Sequence, residues 1–195
     1  MQLEILKLKF IMKKLLLSIL SVVAFTTSNA QDENTSSNSS QFGVKAGFNS
    51  LSIRASAQGA SASESASGFY FGVFGEFELS DKVDLVPEID YITVSESGES
   101  TSFLGIPVLA RYNATDELGI LAGPQVDISL DSDAEGIKKV GVGLMFGLYY
   151  DITDQLFIDG RYGLGLSNRL EDNNIDGVTV NVKFNYLQFG LGYRF

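Results

Sequence analysis

The feature that most constrains this chain is a two-residue alternation of apolar with small or polar side chains, repeated in eight segments between Phe42 and Phe195. In the closing segment, NYLQFGLGYRF, Leu187, Phe189, Leu191, Tyr193 and Phe195 share one face, while Gln188, Gly190, Gly192 and Arg194 share the other. A period of two describes a β-strand with a single apolar face. The other segments run over residues 42–53, 69–79, 83–93, 103–112, 118–130, 140–152 and 156–166, with a register change expected near Ser50. No stretch carries a 3.6-residue apolar stripe long enough for a helix.

The connections alternate in length. Residues 80–82, 113–117 and 153–154 read as tight turns, whereas 54–67, 94–102, 131–139 and 167–180 are longer and rich in Ser, Gly, Asp and Asn. Segments near the ~9–11 residues of a tilted membrane strand, with short turns at one end and long loops at the other, describe an all-β fold. The expectation is an eight-stranded antiparallel up-and-down transmembrane β-barrel, with short periplasmic turns and longer extracellular loops. A soluble barrel would have to turn dozens of Phe, Tyr, Leu and Val side chains inward, and eight strands enclose too little space for them. Glycine and charge inside with aromatics outside fits better, and it places the chain in the outer membrane of a Gram-negative cell.

The N-terminus agrees with export. Lys13 and Lys14 precede the apolar run LLLSILSVVAF, and Ala30 supplies a small residue before a cut. Those are the three parts of a secretory signal, here residues 1–30, with Met12 able to start a complete one. The 11-residue core is too short for a membrane-spanning helix, which needs ~20 residues. Removal of residues 1–30 takes away Lys7, Lys9, Lys13, Lys14 and Glu4, which leaves 10 basic against 23 acidic residues, a net −13. Residues 31–41, almost wholly polar, are expected as a disordered periplasmic leader, with the barrel over 42–195.

Composition narrows the chemistry. There is no Cys, His or Trp, which removes disulfides, thiolate and imidazole metal ligands, lipid anchoring through Cys, and the usual general base. The overall charge of −10 argues against nucleic acid as a partner. Glycine runs such as GVGLMFG and GRYGLGL lie on alternating strand positions with no helix after them, so they do not form a phosphate loop.

Several motifs together resemble a known family: LVPEIDY (85–91), LGIPVLARY (104–112), LAGPQVDISL (121–130), IDGRYGLGLSN (158–168) and the terminal GLGYRF. The chain from Phe42 to Phe195 is similar to the small outer-membrane β-barrel proteins of the Bacteroidetes type, often called PorT-like or porin-family barrels. The resemblance implies that the barrel-insertion machinery reads a terminal strand of this kind, with Tyr193 and Phe195 as the insertion signal. It also implies that some relatives serve as accessory parts of a secretion or motility apparatus.

Three groups of residues are candidates for function. Lys45, Glu76, Glu88, Arg111, Asp159, Arg161 and Arg194 fall on lumen-facing positions near the periplasmic ends of their strands, where mutual salt bridges would plug the barrel. DSDAEG (131–136) and DNNIDG (172–177) follow the first six positions of a calcium-binding loop, so Asp131, Asp133, Asp172 and Asp176 are candidate weak Ca2+ ligands. The twelfth positions, Val142 and Lys183, lack the bidentate Glu of such loops. No other cofactor is expected. The resulting reading is a non-enzymatic outer-membrane barrel with a plugged lumen, structural or acting on an extracellular or envelope partner through its loops. A narrow pore for small solutes or ions is the alternative.

Overall fold

The computed structural model describes residues 40–96, 98–131, 136–171, 174–175 and 178–195. Its strands are β1 (Ser40–Ala57), β2 (Ala60–Ser80), β3 (Val83–Glu96), β4 (Glu99–Asn113), β5 (Leu118–Ser129), β6 (Val140–Asp151), β7 (Leu156–Gly165), β8 (Asn174–Ile175) and β9 (Val178–Arg194). Each long strand pairs antiparallel with the next, and β9 returns to pair with β1 from Gly43↔Arg194 to Ala57↔Val180. Eight strands therefore close a ring, and β8 is a two-residue addition to β9. Closure is what allows a sheet to stand in lipid, because no backbone edge is left unpaired there.

The two faces separate as alternation demands. On β6, Val142, Leu144, Phe146, Leu148 and Tyr150 point outward, and Leu144 is 44% exposed. On β3, β4, β5 and β7 the inward positions hold Glu88, Leu109, Leu121 and Arg161, all nearly inaccessible. At the end with the short turns, Phe77, Tyr112, Tyr150, Tyr193 and Phe195 stand on the outer wall as an aromatic girdle. Phe195 donates its backbone N–H to the carbonyl of Phe42, and its ring lies 6.0 Å from that of Tyr193.

Three expectations are corrected here. The register of β1 does not change at Ser50: pairing with β2 and β9 runs unbroken through Ser50↔Ser67 and Ser50↔Leu187. What changes is polarity, because above this level the inward positions Leu51 and Ile53 belong to an apolar cluster while Ser50 and Ser52 face outward. Residues 54–67 and 94–102 are not long loops. They are strand, closing in tight turns at Gln58–Gly59 and around Gly98, with Ala57↔Ala60 and Glu96↔Glu99 as the last pairs. Backbone pairing continues there although Ser and Ala provide no hydropathy contrast. β1 also begins at Ser40 rather than Phe42, with Ser40 and Gln41 opposite Phe77 and Glu76. Residues 1–39, which hold the expected signal and most of the leader, lie outside the described residues.

Candidate functional site

The lumen is filled in layers. Nearest the short turns, Glu76 receives Arg111 at 2.5 Å and Arg194 at 2.9 Å. Arg111 also reaches Asp84 at 2.8 Å, and Arg194 reaches Asp151 at 2.6 Å. The two guanidinium groups lie over aromatic rings, Arg111 on Tyr149 at 4.9 Å and Arg194 on Phe157 at 4.5 Å. Five charges contributed by β2, β3, β4, β6 and β9 are thereby tied into one network across the barrel.

Above it comes an apolar seam of Phe74, Val86, Leu109, Leu121, Met145, Tyr149 and Phe157. A second charged layer follows. Lys45 pairs with Glu88 and stands 3.6 Å from Asp90, while Arg161 bonds Glu88 at 2.7 Å and Asp159 at 2.5 Å. The Tyr70 hydroxyl donates to Asp159 at 3.3 Å, and the Lys45 ammonium lies 5.3 Å from the Tyr70 ring centre. Between the two charged layers the free space lined by Phe74, Glu76, Glu88, Arg111, Arg161 and Arg194 amounts to about 10 Å³, roughly the volume one water needs.

Towards the hairpin end a second apolar cluster contains Leu51, Tyr70, Ile92, Val94, Phe103, Phe184 and Tyr186. Arg169, which follows β7, folds back into the mouth, bonds Asp127 at 2.6 Å and stacks on Phe184 at 4.5 Å. The backbone holds it there: Arg169 N–H donates to Val182 O, and Lys138 N–H donates to Arg169 O. An isolated bridge, Ile137↔Leu170, joins the same two connections.

The seven lumen charges selected from sequence thus occupy two layers. Glu76, Arg111 and Arg194 lie in the first, and Lys45, Glu88, Asp159 and Arg161 in the second. Sequence reasoning missed Asp84, Asp90 and Asp151, although each lies on an inward position that the alternation marks. It also missed the pair Asp127–Arg169, because Arg169 follows the last alternating residue and carries no periodic signal. Each charged layer holds two cations against three carboxylates. Of the candidate calcium ligands, Asp131 accepts the Ser102 N–H at 2.9 Å. Asp133, Asp172 and Asp176 lie outside the described residues, and among the described residues no acidic group of three is arranged to hold a metal.

A closed eight-stranded wall with an apolar exterior and a layered polar interior is the architecture of an outer-membrane barrel. The family model of the outer membrane protein beta-barrel domain matches residues 17–195. The chain belongs to that family. It is a protein of the cell outer membrane and sits in the lipid of that membrane. Among solved structures it is similar to Neisserial surface protein A, at 16% identity and a TM-score of 0.51, covering 80% of this chain and 99% of that one. It also resembles the attachment invasion locus protein Ail of Yersinia pestis, at 14% identity and a TM-score of 0.49, covering 80% and 98%. A third is OprG from Pseudomonas aeruginosa, at 17% identity and a TM-score of 0.44, covering 81% and 97%. At these identities the likeness is one of fold. No curated protein matches the sequence significantly.

Proposed function

We propose that the protein is a closed-lumen barrel of the PorT-like kind, without enzymatic activity, which works through the hairpins and loops at its extracellular end. The observation that carries this reading is the lumen: two ion-paired layers in series, with about 10 Å³ of free space between them. A lipid-facing wall and a filled core leave the extracellular end as the surface free to meet a partner. Tyr193 and Phe195, outward-facing on the closing strand, are on this reading the signal read by the barrel-insertion machinery. Purified protein in planar bilayers is expected to give no steady conductance, and stable, reproducible channels would overturn the closed-lumen reading. One observation favours a narrow pore as the second reading. The single surplus carboxylate in each layer would select cations, so any channels found should be cation-selective.

A further inference from the structure

The β1–β2 hairpin outruns the strand beside it. β1 pairs with β2 up to Ala57↔Ala60 and with β9 up to Ala57↔Val180, so β1 is covered on both sides. β3 joins β2 only from Ser67↔Ser95 onward, because it turns around Gly98 into β4. Among the described residues, 60–66 of β2 therefore have a strand on one side alone, and Ala60 to Ser65 are exposed. Elsewhere at this end the edges are closed. On β4, Ser102 O accepts the Leu130 N–H and Ser102 N–H donates to the Asp131 carboxylate. On β9, Asn168 and Arg169 bond the backbone of Val180 and Val182.

An open edge in water is ordinarily blunted by Lys, Pro or a bulge. ASASESA, residues 60–66, contains neither residue, and its pairing with β1 is unbroken. The two-residue turn at Gln58–Gly59 makes Ala57 and Ala60 mutual hydrogen-bond partners. Alternate residues, Ser61, Ser63 and Ser65, then turn their backbone N–H and C=O groups away from β1, towards the open side. Charge selects what can pair there. Glu64 stands opposite Ile53, which packs on the upper apolar cluster, so its side chain is on the lumen-side face. Glu96 lies on the same face, two residues beyond buried Val94 and directly opposite Glu99. Neither hairpin has a Lys or Arg over residues 55–67 or 93–102. A strand laid antiparallel on this edge meets Glu64 at a non-hydrogen-bonded pair, where side chains approach most closely. A cation at that position stabilises the pairing, whereas a second copy of the edge brings another carboxylate and no cation.

We propose that residues 60–66 of β2 form a strand-addition site for an extended basic peptide. The peptide backbone bonds to Ser61, Ser63 and Ser65, and its alternate Lys or Arg side chains face Glu64, Glu96 and Glu99. The site rests on the reading that the hairpin end works outside the cell, and it names what part of that end binds and what it binds. Conductance of the lumen, which would sink the closed-lumen reading, leaves the edge untouched.

The test uses the full mature chain folded in phosphatidylcholine nanodiscs and a capped seven-residue peptide that alternates threonine with lysine. One control peptide carries glutamate in place of lysine. The other is N-methylated on its threonine amides, which keeps the charge and blocks the bonded edge. Wild type should bind the lysine peptide at least about tenfold more tightly than either control. Ser61→Pro/Ser63→Pro removes two N–H groups that face the open side and none that bonds β1, so the barrel should still fold. Heat-modified electrophoretic mobility checks the fold, and binding should fall at least about tenfold. Glu64→Gln, an exposed change, should lose about threefold. Undiminished binding by the folded proline variant would overturn the proposal. Equal binding of the N-methylated peptide to wild type would overturn it without recourse to any variant. So would a lysine peptide that shows no saturable binding up to millimolar concentration. Wild-type dimers that the proline variant loses would give the edge to a second copy and overturn it as well.

Discussion

At the scale of residues, the lumen is packed by large side chains laid over glycine. A Cβ on Gly141 would fall within bonding distance of the Arg169 guanidinium, and one on Gly192 would overlap the Phe157 ring. Glycine at these inward positions is therefore a packing requirement of the charged and aromatic plug, in a barrel too narrow for both a wall of side chains and side chains that cross it. Outward positions obey a different rule, set by lipid. Leu144 faces the hydrocarbon, where an arginine costs ~2–4 kcal/mol near the midplane. Leu144→Arg should lower the urea midpoint of the folded barrel in lipid vesicles accordingly. Ala60→Arg, exposed at the hairpin tip opposite Ala57, should leave it within about 0.5 kcal/mol of wild type. Equal loss in the two variants would contradict the assignment of the faces. The neighbouring inward Gly143 is no neutral control, because a Cβ there would lie 2.7 Å from the Leu164 carbonyl oxygen.

At the scale of elements, the β1–β2 hairpin rises beyond the belt and closes through Gln58 at φ 48° and Gly59 at φ 85°. Two central residues with positive φ make the type I′ turn whose twist matches the strands. Glutamine is a poor occupant, since a Cβ in left-handed backbone costs ~1–2 kcal/mol and Asn tolerates it better. Gln58→Asn should therefore raise stability by about 0.5–1 kcal/mol in urea titrations of the folded protein, and Gln58→Val should lower it. An unchanged midpoint in both would mean that the tip frays independently of the barrel. This hairpin also marks the limit of what was legible beforehand. Alternation located every membrane-crossing strand, because lipid outside and polar plug inside impose opposite chemistries on successive residues. Above the membrane both faces of β1 and β2 meet water or small side chains, the contrast vanishes, and continued pairing over Arg54–Ser67 left no trace in hydropathy. The same loss hid Arg169, whose role depends on where the chain folds back rather than on any period.

At the scale of the whole molecule, the two charged layers tie the barrel together from different sides and block it twice. The first joins β2, β3, β4, β6 and β9; the second joins β1, β3 and β7. Removing one member of a buried pair strands its partner at ~3–5 kcal/mol, whereas replacing a whole set by apolar groups of similar volume is close to neutral. Arg161→Met leaves Asp159 without its cation and Glu88 with Lys45 alone, and it should destabilise the barrel by about that amount. Conduction should follow a different logic, that of obstacles in series. Glu76→Ala/Asp84→Ala/Arg111→Ala/Asp151→Ala/Arg194→Ala empties the first layer as a whole set but leaves Lys45, Glu88 and Arg161 in place above the apolar seam, so bilayers should stay silent. Adding Lys45→Ala/Glu88→Ala/Asp90→Ala/Asp159→Ala/Arg161→Ala empties both layers, leaving the seam around Phe74, Leu109 and Met145 and the upper cluster around Phe103 and Tyr186 as dry constrictions. Measurable ion flow should then appear only when Phe74 and Phe157 in the seam, and Phe103 and Tyr186 in the upper cluster, are also truncated to Ala. Steady current from the first-layer variant alone would show that the second layer is no barrier, and that the lumen is a pore held shut at one end.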